Sequence, residues 1–248
     1  MTLPLASLVD SPALGQRPFL TWYGEDGERT ELSATVTANW VAKTANLLVE
    51  EYDIAPGTLV RLDMPPHWRT AVWALATWRV GAGVVLDGSQ PTGVVGGAER
   101  VEIIVTDRPA EVLAGAVPGD FDEIVAQVLP SLARKFDGEL PPGSLDAALA
   151  IGSYGDVIGY APPTEPSAPA VVSETITTLH GDLAQWSAQL PPSARLAVRV
   201  GPRSPEDLAR FCRTILGALR AETSLVLLSP SITDPTRILA TERATLHP

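Results

Sequence analysis

Three histidines, one cysteine and a short glycine–serine run carry most of the nucleophilic, basic or metal-ligating chemistry open to this chain. Gly152-Ser153-Tyr154-Gly155-Asp156 has part of the spacing of a nucleophile elbow. The pattern Gly-x-Ser-x-Gly needs a glycine at 151, however, where Ile151 stands. Downstream, only chance pairs such as Asp234 and His247 could complete a triad, so hydrolase chemistry is not expected. His67 follows Pro65-Pro66 and precedes Trp68, in a loop after a strand, where α/β folds often place ligands. A solvated or helix-capping histidine is the plainer reading there. His247 stands in the tail and reads as inert. Cys212 falls in an apolar stripe at helical spacing, the setting of a buried, unreactive thiol. Gly93-Val94-Val95-Gly96-Gly97 lacks the strand–turn–helix context of a dinucleotide fingerprint and reads as a loop. Four of the six tryptophans, Trp40, Trp68, Trp73 and Trp78, recur at helical spacing and belong in a core rather than a ligand cage. No metal-ligand spacing is visible. The residues taken alone therefore assign no catalytic, cofactor-binding or metal-binding role.

The elements that would position these residues alternate between helical and strand periodicity. Ser33 is a candidate N-cap for a helix carrying Val36, Trp40, Val41, Leu47 and Leu48 and ending near Tyr52. A turn at Pro56-Gly57 leads to a strand from Thr58 to Asp63. Pro65-Pro66 opens a second helix, which Gly81 stops at its C′ position. Short apolar runs at 83–86 and 101–106 read as strands. Phe121, Ile124, Val125 and Val128 suggest a helix, and 138–169 is rich in proline and glycine and reads as a linker or irregular insertion. A strand at 170–172, a helix at 179–190 and a strand at 196–200 follow. Ser204-Pro205-Glu206-Asp207 supplies an N-cap, a proline at N1 and first-turn acids to a helix bearing Leu208, Phe211, Cys212, Ile215, Leu216 and Leu219. A strand at 224–228 closes the pattern, and the tail after Pro230 is expected to be loose or to lie on the surface. The rhythm implies an α/β fold of mostly parallel sheets flanked by helices. It forms a single domain, 1–248, in two halves of about 1–135 and 165–230.

Composition limits the partners. The formal net charge of −11 argues against nucleic acid, whose affinity rests on Lys and Arg neutralising phosphates, and against an anionic membrane surface. One cysteine excludes an internal disulfide framework and a cysteine-rich zinc site. The start, Met1-Thr2-Leu3-Pro4, lacks a signal peptide's basic and apolar regions, and no apolar run reaches the ~20 residues that span a bilayer. A cytoplasmic protein is expected.

The run from Ala55 through Gly57, Asp63 and Pro65-Pro66, followed by a helix and Gly81-Ala82-Gly83-Val84-Val85, is similar to the opening of adenylate-forming (AMP-binding, acyl-CoA-synthetase-like) enzymes. Val101 to Asp107 fits that family's next strand. Thr178-Leu179-His180-Gly181-Asp182-Leu183 resembles the Thr-His-x-x-Leu segment after its phosphate loop, which gives His180 a packing role. Ile215-Leu216-Gly217-Ala218-Leu219 through Leu228 resembles a later helix–strand unit. The order holds over about residues 28–230. The resemblance implies the N-terminal part of the adenylate-forming fold.

The departures fall on the chemistry. The family's phosphate loop is rich in Ser, Thr and Gly and ends in Pro-Lys-Gly, its backbone N–H groups holding ATP phosphates. Here that place is Ser167-Ala168-Pro169-Ala170-Val171-Val172-Ser173-Glu174-Thr175, with no glycine, no lysine and one acid. The family's ribose-binding Asp and C-terminal lysine would fall beyond residue 248, and neither Lys43 nor Lys135 is placed to substitute. Adenylation must offset repulsion between a carboxylate and a triphosphate, and losing one such electrostatic contact costs ~10²–10³ in rate. The expectation is a non-catalytic homologue with a binding or assembly role, without cofactor, forming a homodimer or joining a protein partner. The alternatives are half of a split adenylating enzyme, or a sensor of acyl or aryl carboxylates or CoA thioesters.

Overall fold

The computed structural model describes residues 15–87, 101–117, 119–174 and 176–247. They divide into two compact units, one of described residues within 15–40, 65–72 and 184–247 and one of described residues within 41–64 and 73–183.

The first unit is built on a five-stranded sheet in the order β12-β10-β11-β1-β2. Its strands are β1 (Pro18–Tyr23), β2 (Arg29–Ser33), β10 (Arg195–Arg199), β11 (Ser224–Leu228) and β12 (Thr245–His247). Only the β1–β2 pair is antiparallel. Ser33 caps the helix α1 (Ala34–Tyr52), its hydroxyl accepting from the Val36 N–H at 3.2 Å, as the sequence predicts. Between β10 and β11 lies α6 (Pro205–Ala221). Its N-cap is Ser204, whose hydroxyl accepts from the Asp207 N–H at 3.1 Å, with proline at N1. Leu208, Phe211, Cys212, Ile215 and Leu216 form its buried face, as their spacing requires. Gly217 lies against the loop before β10, where a Cβ would sit 2.3 Å from the Ala188 carbonyl oxygen.

The second unit is a seven-stranded sheet in the order β7-β6-β5-β3-β4-β8-β9. It comprises β3 (Leu59–Asp63), β4 (Gly83–Val85), β5 (Val101–Thr106), β6 (Glu123–Ala126), β7 (Leu145–Asp146), β8 (Pro169–Val172) and β9 (Thr177–Leu179). All neighbours are parallel except β8 and β9. The helix α2 (Trp68–Arg79) ends at Gly81, whose φ of +80° is the left-handed conformation a glycine C′ residue takes freely. Leu59, Val85, Val101, Ile104 and Val172 make one core cluster, with Val112 of α3 (Pro109–Gly115) and Phe121 packed on it. Gly83 lies where a Cβ would approach the Pro169 carbonyl oxygen to 2.8 Å and Leu59 Cδ2 to 2.7 Å. The mostly parallel α/β architecture is thus observed.

Three local expectations are corrected, and for the tail the surface-packed alternative is the one observed. Residues 121–128 hold β6, not a helix: Ile124 and Val125 are β-branched and buried with Ala126, and an apolar run this short pairs with β5 along its whole length. The helix expected at 179–190 shrinks to a 3₁₀ turn at His180–Asp182 and α5 (Leu183–Trp186). There the Arg213 guanidinium donates to the Trp186 carbonyl at 2.8 Å and the Arg213 carbonyl accepts from the Ala188 N–H at 2.9 Å, replacing bonds a longer helix would make. The 138–169 stretch contains β7, α4 (Ala147–Ala150) capped by Asp146, and a 3₁₀ turn, so it is partly ordered into the sheet. The tail forms α7 (Thr236–Glu242) and β12, fastened by Glu242, which accepts from Tyr23 at 2.6 Å, from Arg29 at 3.0 Å and from Arg195. The Gly93–Gly97 loop predicted from sequence lies outside the described residues.

Two substitutions test this packing. Gly83→Ala is expected to lower the unfolding free energy by about 1–3 kcal/mol, because backbone and core atoms must shift to admit one methyl group. The Thr44 hydroxyl is fully buried and finds no hydrogen-bond partner among the described residues. Thr44→Val is therefore expected to raise stability by about 1 kcal/mol. Urea unfolding followed by circular dichroism measures both.

Candidate functional site

Parallel sheets bind ligands at the carboxyl ends of their strands. In the seven-stranded unit those ends carry Asp63 as the last residue of β3, Asp87 after β4, Thr106 as the last residue of β5, Gln127 after β6 and Ser173 after β8. Each is engaged within the chain. Asp63 accepts from the Thr106 hydroxyl at 2.7 Å and from Arg108 Nε and Nη2 at 3.1 and 2.9 Å. Arg108 also reaches Glu111 at 3.3 Å. Gln127 is buried, accepting from Trp73 Nε1 at 2.8 Å and donating to the Val128 carbonyl at 2.7 Å. Arg61 is more than half-buried. Desolvation lowers its pKa, while Asp120, Asp87 and Asp63 act in the opposite sense.

The segment that by resemblance stands in the place of the family's phosphate loop runs along β8 and on towards β9. The Ser173 N–H donates to the Ile176 carbonyl at 2.8 Å, and the Ile176 N–H donates to the Ser173 hydroxyl at 3.1 Å. The Glu174 N–H donates to the Asp87 carboxylate at 2.8 Å. These three amides are thus committed to internal acceptors, and the Glu174 amide already holds a carboxylate. Pro169 and Pro166 supply no N–H at all.

The sequence-singled residues separate. His67 is 3% exposed in the first unit, its Nδ1 accepting from the Arg69 N–H at 3.2 Å, so it is the capping histidine and not a solvated one. Its ring stands edge-on to Trp22 with centroids 4.5 Å apart and 5.6 Å from Trp68. The buried Arg69 guanidinium lies 4.4 Å from the centroid of the Trp68 ring. Burial, reinforced by the Arg69 charge, pulls His67 down to about 3, so it is neutral at physiological pH. His180 packs in the second unit with Nε2 3.1 Å from the Ala82 carbonyl, the packing role the resemblance implied. Trp68, Trp73 and Trp78 are core, and Trp78 Nε1 donates to the Ala170 carbonyl at 2.7 Å. Trp40 is half-buried. Cys212 is buried, and desolvation raises its thiol to about 12. The Ser153 hydroxyl closes a turn onto the Ala150 carbonyl at 2.7 Å, and Asp234 caps Thr236 at 2.9 Å. Neither faces a base. His247 pairs in β12.

Among the described residues no group of three His, Cys, Asp or Glu side chains could hold a metal ion, and no helix is long and apolar enough to cross a membrane. Sequence reasoning missed the Asp87–Glu174 and Asp63–Arg108 contacts. Their only signal was the position of Asp63 and Asp87 directly after apolar strand runs.

This fold is that of the adenylate-forming enzymes. It matches a Brucella canis acyl-CoA synthetase with a TM-score of 0.74 at 17% identity, over 98% of this chain and 47% of that one. An acetoacetyl-CoA synthetase from Streptomyces lividans matches with a TM-score of 0.70 at 18% identity, over 98% and 42%. The chain therefore spans about half the length of these solved structures. No family model matches it. A protein of Mycobacterium tuberculosis (strain ATCC 25618 / H37Rv), a "TIGR03089 family protein", is 32% identical over 254 residues, covering 99% of both chains. The chain belongs to the TIGR03089 family.

The depressed His67 has a pH signature. The unfolded chain takes up a proton near pH 6.5 that the folded chain refuses until about pH 3. Stability is therefore fully present above pH 6.5 and falls as pH drops, by about 1.4 kcal/mol per unit for this group. His67→Phe should flatten that slope by one proton in pH-dependent urea unfolding, and an unchanged slope would show that His67 is solvated.

Proposed function

We propose that this protein uses the adenylate-forming fold as a non-catalytic scaffold and works by binding or assembly rather than by activating carboxylates. The connection between β8 and β9 supports this reading above all. An anion cradle needs several free N–H groups converging on one point, reinforced by a cation. Here the Ser173 and Ile176 amides close the turn on itself, and the Glu174 amide is held by Asp87. Glu174 itself is exposed beside that amide, so an approaching triphosphate would meet two carboxylates. The lysine that ends the family's loop has no counterpart in Ser167–Thr175.

The split-enzyme reading is weaker on the same ground. A second polypeptide could add residues, but it cannot free amides that this chain's own turn has consumed. The role therefore falls to surfaces that engage another protein.

Titration calorimetry of the purified chain with magnesium ATP is expected to show no binding at millimolar nucleotide. Carboxylate-dependent pyrophosphate exchange should stay at background across a panel of short, long and aromatic acids. Exchange above background, or saturable nucleotide binding, would overturn the reading.

A further inference from the structure

One irregular segment of the second unit is fastened with polar groups while two of its large side chains, Val157 and Tyr160, face solvent. Residues 154–160 follow the 3₁₀ turn Ile151–Ser153 and lie along α1. Asn46, 4% exposed, holds them with its whole amide: Nδ2 donates to the Gly155 and Val157 carbonyls at 3.1 and 2.9 Å, and Oδ1 accepts from the Gly159 N–H at 3.0 Å. Lys43 Nζ donates to the Tyr154 carbonyl at 2.5 Å and pairs with Asp156 at 2.8 Å. The Tyr154 hydroxyl reaches Glu51 at 3.4 Å. The backbone is thus fixed, yet Val157 is 80% and Tyr160 64% exposed.

A segment serving only to cover α1 would turn such side chains inward, since burying one contributes about 1.5–3 kcal/mol. Here Ile158 is half-buried and the rest of the seating falls to a buried amide and a lysine, while Val157 and Tyr160 are displayed. A tyrosine displayed on a preformed backbone makes an efficient anchor, because little backbone freedom is lost on binding, and a neighbouring aliphatic side chain adds apolar area around it. The surroundings are acidic. Glu51 and Glu50 lie near enough to raise the Tyr154 pKa, after burial, and Asp156 is exposed with Lys43 as its partner. Within a chain of net charge −11, that rim repels a second copy and attracts a cation.

We infer that the strap 154–160 is a docking surface for a partner protein segment that combines apolar anchors with arginine or lysine. This rests on the binding-or-assembly reading and names the surface and partner chemistry. The carboxylates at Glu50 and Glu51 receive the basic groups, and Val157 and Tyr160 receive the apolar ones.

The test uses the full chain and a fluorescent peptide alternating arginine and leucine, with a glutamate-for-arginine counterpart, followed by anisotropy at physiological salt. The basic peptide is expected to bind and its acidic counterpart not to. Val157→Ser/Tyr160→Ser should weaken binding about tenfold without changing the melting temperature. Leu132→Ser, at a residue 94% exposed elsewhere on this unit, should leave binding unchanged. Asn46→Ala should also weaken it, by freeing the strap. Equal binding by all variants, no binding of the basic peptide, or a strap-dependent homodimer in sedimentation would each overturn the proposal. Nucleotide binding or pyrophosphate exchange reads the catalytic question separately, so the two can fail independently.

Discussion

The larger sheet depends on β4 and β8 meeting in register although more than eighty residues of chain separate them. Val84 pairs with Val171 and Val85 with Val172. Such a junction costs loop-closure entropy that local contacts cannot offset, so it must be densely packed to persist. Three features supply that density: the absent Cβ at Gly83, which lets the Pro169 carbonyl approach; the Trp78 indole N–H, which satisfies the Ala170 carbonyl; and His180, which reaches the Ala82 carbonyl. Each side chain satisfies a backbone acceptor beside the junction, where an unpaired carbonyl would cost about 1–3 kcal/mol.

The same junction determines what can happen at the rim. Because β8 runs straight into an antiparallel β9, the connection must reverse within four residues, and a reversal that tight uses its own amides. A phosphate cradle works differently: its amides stay free because the loop is long and glycine-rich, and the loop is ordered by the ligand. Asp87 reinforces the choice, since a carboxylate on the Glu174 amide is the interaction that a phosphate oxygen would otherwise make. The rest of the rim follows the same logic, with Asp63 occupied by Arg108 and Thr106.

Sequence made the long periodic elements legible because burial imposes their pattern. Ser204-Pro205 and the apolar stripe of α6 marked a helix start and a core face in adjoining residues. Gly81 marked a helix stop. The misreadings fall where periodicity cannot decide. Ile124, Val125 and Val128 suit either a short buried strand or a helical face, and only pairing with β5 settles the matter. The run 179–190 has helical spacing, but Arg213, about thirty residues on, takes its backbone groups. The β1–β2 hairpin went unread because Pro18–Tyr23 is nearly all apolar, without the alternation that marks a half-exposed strand. At the site, the lost lysine and glycines could be read directly. The destination of the freed amides could not, because Asp87 and Glu174 are eighty-seven residues apart.

Segments distant in sequence are joined by a common device. Asn46 holds the 155–159 backbone, Gln127 joins Trp73 to Val128, and Arg195 joins Thr21, Ser224 and Glu242. In each case one long polar side chain makes several bonds to segments far apart in sequence. A buried amide with all its partners is nearly neutral for stability, because its desolvation cancels most of the gain, but it is severe towards alternatives. Any register that leaves it half-satisfied costs the full desolvation cost. Apolar packing alone would let the 154–160 strap slide along α1, whereas Asn46 accepts only the one arrangement that supplies two carbonyls and an N–H at once. The seven-residue stretch beside α1 is therefore fixed in one backbone conformation by a side chain more than a hundred residues away.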